Sequence, residues 1–185
     1  MNRFLLGMAY AAMFVAQRHG PEVIEFLHGT EARIEATSPK YDDVNADSDL
    51  DMLCKGYESH HYNPISNCSH AAGMILSFIV IACALIHRRL SVAVTLPPIW
   101  YLYAWAGHFF IQKDIPAVFV YGMTFRGWLS GEYCSLCALM AGKTISRPLE
   151  LSLTTLLVLI HLLLFPPVAS WDFLSLGNPQ KTKKA

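Results

Sequence analysis

The chain has 185 residues, 54% of them hydrophobic and 15% charged, with a mean hydropathy of +0.34 and no formal net charge. An ordinary soluble domain carries about 25% charged residues. This composition therefore excludes a disordered chain, a collagen-like chain and a basic nucleic-acid binder, and a one-domain membrane protein becomes the first expectation.

The zero net charge hides a polarised layout. Ten of the fourteen acids lie between Glu22 and Glu58, where the only bases are Arg33, Lys40 and Lys55. From residue 59 onward four acids face nine bases. Five cysteines at irregular spacing do not form the even-numbered pattern of a secreted disulfide framework.

Residues 4–17 are uncharged, but fourteen residues fall short of the roughly 20 that cross a bilayer. No small-residue cleavage site follows, so an uncleaved, membrane-associated helix is expected. Gly20-Pro21 breaks it. Val23, Ile24, Phe26 and Leu27 then suit a short amphipathic helix that stops near Gly29. Residues 30–48 read as an acidic loop. Its alternating Asp43, Asn45, Asp47 and Asp49 suggest a calcium loop, but the sixth and twelfth positions hold Ser48 and Cys54, where an EF-hand needs Gly and Glu. Ser48 is instead expected to cap a helix running through Leu50, Leu53 and Tyr57 towards His61.

Three apolar stretches follow: Ala71 to Ile86, Leu90 to Ile111 with Pro97-Pro98 as a kink, and Leu151 to Trp171. The first two form a helical hairpin around His87-Arg88-Arg89. The expected fold is all-α, a multi-pass transmembrane bundle of three to four apolar helices. Residues 1–48 form an N-terminal helix and acidic loop, 49–145 the core, and 146–185 a last span with a Lys181, Lys183 and Lys184 tail. The flanking positive charges divide too evenly to fix an orientation.

Eight histidines are many for this length. His161 reads as a structural, hydrogen-bonded side chain. His61, His70 and His108 differ because their positions converge. On one continuous helix His61 and His70 would face opposite ways. Asn63-Pro64 breaks the helix between them, with Asn63 as cap of the next one, so both can face one pocket. His108 follows Arg88 by 20 residues and His70 precedes it by 18, so in antiparallel helices both stand roughly 27–30 Å from the turn. Imidazoles gathered at one level suit a transition metal, and ionisable groups at membrane depth point to function. A structural hydrogen-bond cluster is the plainer alternative. Cys134-Ser-Leu-Cys137 lacks a second pair and reads as small apolar residues on one helix face.

Tyr57-x-x-x-His61-x-Asn63-Pro64 followed by His70, and Gly107-His108-Phe109-Phe110-Ile111 with Lys113 and Pro116-Ala117, resemble the two motifs of the yeast 2-hydroxy fatty acid dioxygenase family. Gly131-Glu132-Tyr133 stands where that family usually has Gly-Asp-Phe. The resemblance covers about residues 50–145. It implies an Fe2+-dependent enzyme of the endoplasmic reticulum membrane that uses dioxygen to shorten a 2-hydroxy fatty acid by one carbon. Within it, His61, His70 and His108 are the expected metal ligands and Glu132 a further ligand or base. Lys113, Arg126 and Asn63 are the expected substrate-binding residues. Gln112 and Ile115 depart from the Glu and Arg usual there. Another metal-dependent lipid oxygenase or hydroxylase, or a non-catalytic lipid- or partner-binding membrane protein, are the alternatives. The absence of closely spaced H-x-x-H motifs argues against a di-iron hydroxylase.

Overall fold

The computed structural model describes residues 3–37, 50–88, 90–116 and 125–165, and the regular structure among them is entirely helical. In chain order it comprises α1 (Arg3–Arg18), α2 (Gly20–His28), α3 (Thr30–Thr37), α4 (Leu50–His60) and α5 (Pro64–Ile86). A 3-10 turn (Leu90–Thr95), α6 (Leu96–Ala106), a π-helical turn (Gly107–Gln112), α7 (Phe125–Met140) and α8 (Pro148–Leu164) follow.

The all-α expectation holds, but the expected three to four membrane-crossing helices do not. Among the described residues only α5 is long and apolar enough to span a bilayer. Its 23 residues rise about 34 Å, matching a hydrocarbon core of about 30 Å. The second apolar stretch is not one helix. Pro97 and Pro98 have no N–H to give, so the α-helix restarts with proline in its first turn, preceded by a 3-10 segment and followed by the π-turn. The third begins as a helix at Pro148 and reaches only Leu164, 17 residues. Its start is set by Glu150, whose carboxylate accepts from the backbone N–H groups of Ser146 (2.7 Å) and Arg147 (2.9 Å). The N-terminal helix α1 has 16 residues.

The loop expected from residue 30 is also corrected, because its first eight residues form α3. Glu31, Ala32, Arg33 and Ala36 are sound helix formers. Arg33 ties α3 to α2 through Glu25 and Glu22, and Ala36 is buried. The remaining acidic loop with its Ser48 cap, and the Lys181–Lys184 tail, lie outside the described residues.

The central element is α5. It packs most extensively on its antiparallel partner α6, and next on α8. One apolar core, containing Leu76, Val80, Val92, Ile99 and Val158, fills the space between these three. A second, containing Ile24, Ala36, Trp105, Phe109 and Ile115, joins α2 and α3 to the C-terminal end of α6. α1 lies along α6, and the Tyr10 hydroxyl donates to the Val94 carbonyl at 2.7 Å. α4 packs on α7, and a Cys54–Cys134 disulfide joins them. That bridge corrects the reading of Cys134 and Cys137 as small apolar residues on one helix face: Cys134 is bonded across the helix pair, while Cys137 one turn on is an exposed thiol.

Candidate metal centre

The site forms where three helix ends meet. α4 ends at His60, and residues 61–63 turn the chain. Pro64 starts α5, and the Asn63 side chain accepts from the backbone N–H of Ile65 (2.9 Å) and Ser66 (3.4 Å), the expected cap. The Asn67 amide donates to the His61 carbonyl at 3.0 Å, fixing the turn from the other side. His70 lies less than two turns into α5. His108 sits in the π-turn, where the extra residue per turn rotates the backbone and swings the side chain inward; such turns recur at functional sites.

Close approach of α5 and the π-turn depends on Gly107. A Cβ there would stand 2.5 Å from the hydroxyls of both Ser66 and Ser69. One further contact down the same seam, a Cβ on Gly73 would stand 3.0 Å from the Trp100 carbonyl and the Tyr103 Cβ. Small residues on this seam bring His70 and His108 level.

The three histidines converge as expected. Ring centroids are 4.4 Å apart for His61 and His70, 5.0 Å for His61 and His108, and 5.1 Å for His70 and His108. Each pair is nearly perpendicular, at 82°, 76° and 83°. One ring nitrogen from each lies within 4.8 Å of the other two. Buried polar atoms are nearly always hydrogen-bonded. Here, however, His61 Nε2, His70 Nε2 and His108 Nδ1 are buried without a hydrogen-bond partner. Three orphaned imidazole nitrogens facing one point are the donor set a transition metal takes. The residues present fit a metal ion.

The surroundings prepare His61 for that role. Its Nδ1 lies 2.6 Å from the Tyr57 carbonyl, so Nδ1–H donates there and Nε2 carries the lone pair, as in metal-ligating histidines generally. The Tyr57 ring stacks on the imidazole with centroids 3.9 Å apart. Burial pushes the His61 pKa down to about 4, against the upward pull of the Tyr57 carbonyl, so the ring is neutral at neutral pH. Burial likewise pushes the Tyr57 phenol well above its ordinary value.

The other expected site residues are distributed around this cluster. Glu132, on α7, is not one of the three clustered groups. It accepts a hydrogen bond from the Tyr101 hydroxyl at 2.9 Å, and its charge acts on Tyr57. Burial raises its pKa to about 7, partly offset by the Tyr101 hydrogen bond. Lys113 is exposed, in the left-handed region at φ 58°, directly after the π-turn. Arg126 lies in the first turn of α7, and its side chain is outside the described part. Asn63 has its carboxamide oxygen engaged as the α5 cap.

Sequence reasoning misses a second layer. His60 and Asp114 are both almost fully buried, with His60 Nδ1 3.6 Å from Asp114 Oδ2. The Gln112 side chain donates to the His60 carbonyl at 2.6 Å, and the Gln112 main-chain carbonyl accepts from the Tyr62 hydroxyl at 3.1 Å. The available signals are the His60-His61 doublet and Asp114, the only acid between Glu58 and Glu132. The departures at Gln112 and Ile115 also gain a structural meaning. Gln112 holds a main-chain carbonyl of the site, and Ile115 is part of the second core.

The chain is thus a helical protein with a three-histidine cluster, His108 buried and His61 and His70 half-buried, capable of chelating a metal. The family model described as "2-hydroxy-palmitic acid dioxygenase Mpo1-like" matches residues 48–129, a stretch that contains all three histidines. No curated protein and no solved structure matches the chain.

Proposed function

We propose that this chain is a member of the Mpo1-like family and an iron(II)-dependent dioxygenase that shortens 2-hydroxy fatty acids by one carbon. The observation that carries the proposal is the convergence of three buried, partnerless imidazole nitrogens inside the segment that the family model matches. When bound, iron(II) supplies open coordination positions for the hydroxy-acid and dioxygen. The chain's own residues do the rest. The Tyr57 carbonyl holds the His61 tautomer, and the Tyr57 ring covers one face of that imidazole. Gln112 and the Asn67 amide fix the main chain on either side of His61. Burial of the rings keeps water off the reacting end of the substrate. Lys113, at the exposed rim, and Arg126 provide positive charge for the substrate carboxylate. Glu132, with a pKa of about 7, takes or gives a proton near neutrality while Tyr101 steadies its oxygen. In this proposal the protein works in the endoplasmic reticulum membrane, where its acyl substrate is dissolved, and α5 anchors it there.

Two measurements test this. Full-length protein purified in detergent should hold about one equivalent of iron, lost in His70→Ala and His108→Ala while helical content is kept. With iron(II) and air it should convert 2-hydroxypalmitate to the acid one carbon shorter. Metal-free protein whose stability is unchanged in both histidine variants would sink the metal site and favour a non-catalytic lipid binder. Consumption of unhydroxylated palmitate alone would point to a hydroxylase.

A further inference from the structure

The main chain of the π-turn leaves one acceptor over. The Lys113 N–H donates to the His108 carbonyl, and the Asp114 N–H donates to the same oxygen at 3.2 Å. The Ile115 N–H goes to the Asp114 carboxylate at 2.8 Å. These three N–H groups follow the turn, and none is directed to the Phe109 carbonyl. The last carbonyls of a helix generally lack a main-chain partner and take one from elsewhere. Phe109 is buried in the second core, where a carbonyl without a donor is strongly disfavoured.

The donor comes from another helix. His28 Nε2, in the last turn of α2, lies 2.6 Å from the Phe109 oxygen. A carbonyl only accepts, so Nε2 carries the hydrogen. Packing delivers this side chain. Ile24, four residues earlier on the same face of α2, is fully buried in the core that holds Trp105 and Phe109. α2 lies outside residues 48–129, the stretch that the family model matches. The contact therefore reaches the site from a part of the chain that the family pattern does not include.

We infer that His28 is a positioning residue: it holds open the π-turn that aims His108 into the triad. In an α-helix the Lys113 N–H would pair with the Phe109 carbonyl, four residues back; in the π-turn it pairs with His108, five back. While His28 occupies the Phe109 oxygen, Lys113 stays on His108 and the wide turn persists. Without that donor, the Lys113 N–H moves one carbonyl along to satisfy Phe109. The turn then tightens, and His108 rotates away from His61 and His70.

The effect on metal rests on the proposed metal centre, but the turn itself can be followed without metal. Two variants of the full-length protein in detergent test the inference. His28→Leu removes the donor at about the same bulk, and His28→Gln keeps a side-chain N–H at about the same reach. Cobalt(II) is the probe, because its visible absorption reports the number and arrangement of its ligands. Hydrogen exchange of residues 107–114 is measured on metal-free protein. His28→Leu should bind cobalt at least about tenfold more weakly, the scale of losing a group that orients a ligand, with an altered spectrum and faster exchange. His28→Gln should bring all three back towards wild type. Affinity, spectrum and exchange equal to wild type in both variants would overturn the role of His28 and leave the metal centre standing. If wild-type protein takes up no cobalt, the metal centre falls and exchange alone decides. Faster exchange in His28→Leu, restored in His28→Gln, would then support the inference, and identical exchange in all three proteins would overturn it.

Discussion

A buried histidine serves as a ligand only if one ring nitrogen is kept free of protons and of other partners. His61 meets that condition through a single contact, the hydrogen bond to the Tyr57 carbonyl one helical turn back, and burial holds its pKa near 4. Glu132 is the opposite case, a carboxyl that the fold holds partly protonated. Its folded pKa of about 7 lies above its ordinary 4.5, so the folded state binds the extra proton. Stability from this residue is complete below pH 4.5 and is lost as pH rises through 7. Glu132→Gln keeps an oxygen to accept from Tyr101 and removes the titration. The variant should match wild type near pH 4 and exceed it by roughly 3 kcal/mol at pH 8, because each pH unit between the two pKa values is worth about 1.36 kcal/mol. Thermal unfolding in detergent across that range checks this, and a difference independent of pH would show that Glu132 is not held protonated by its surroundings. At this scale the sequence makes the triad legible, because a proline break and a count of residues from the hairpin turn suffice to bring three histidines together. It does not reveal His60 and Asp114, whose pairing across 54 positions depends on where the π-turn leaves the chain.

The elements show what local chemistry can and cannot foretell. The Asn63-Pro64 break, the Gly29 stop of α2 and the hairpin turn are all visible in the sequence, because each rests on a residue with a restricted or unusual backbone. The π-turn is not. Nothing in Gly-His-Phe-Phe-Ile-Gln announces one extra residue per turn; it arises where α5 and α6 approach closely enough to need Gly107. That dependence gives a direct test. In Gly107→Ala the new methyl must displace the Ser66 and Ser69 hydroxyls and press on the Ser66 Cα, 3.2 Å away, in a seam already in contact. Overpacking of this kind costs about 1–3 kcal/mol. Because His108 is the next residue, the same shift should weaken iron binding at least about tenfold, since a loss of about 1.4 kcal/mol is a factor of ten. Gly131→Ala, which meets open space on α7, is the control and should leave both quantities unchanged. Equal iron affinity in the two variants would mean that the seam does not position the triad. The missed helix α3 has a related cause: its short polar sequence reads as loop, and it is held by ion pairs from Arg33 to α2.

For the molecule as a whole, hydrophobicity alone overstates the number of membrane crossings. The composition is that of a membrane protein, yet among the described residues only α5 is long enough to cross, and half of its apolar length is buried against other helices. The remaining hydrophobicity goes partly into the two cores and partly onto the surface. On α8, Leu156, Leu159, Ile160 and Leu163 recur at helical spacing and are all exposed, Leu163 by 80%. On α5, Leu85 and Ile86 are exposed at the end away from the triad, and on α1 so are Phe4, Met8 and Phe14. A soluble monomer seldom exposes so much contiguous apolar surface; such faces are covered by lipid or by protein. Lipid is the expected cover, because α8 packs on α5, the helix among the described residues that is long and apolar enough to cross a bilayer. The wild-type chain should therefore stay with membranes through an alkaline carbonate wash. A charge at the centre of a bilayer-facing helix costs about 2.5–3.5 kcal/mol, so Leu159→Glu with Leu163→Glu should release a large part of the protein. The triad is on other helices, and the released protein should still bind iron. If the double variant stays on the membrane but changes its oligomeric state, the α8 face is covered by a second protein chain and the lipid assignment of that face fails.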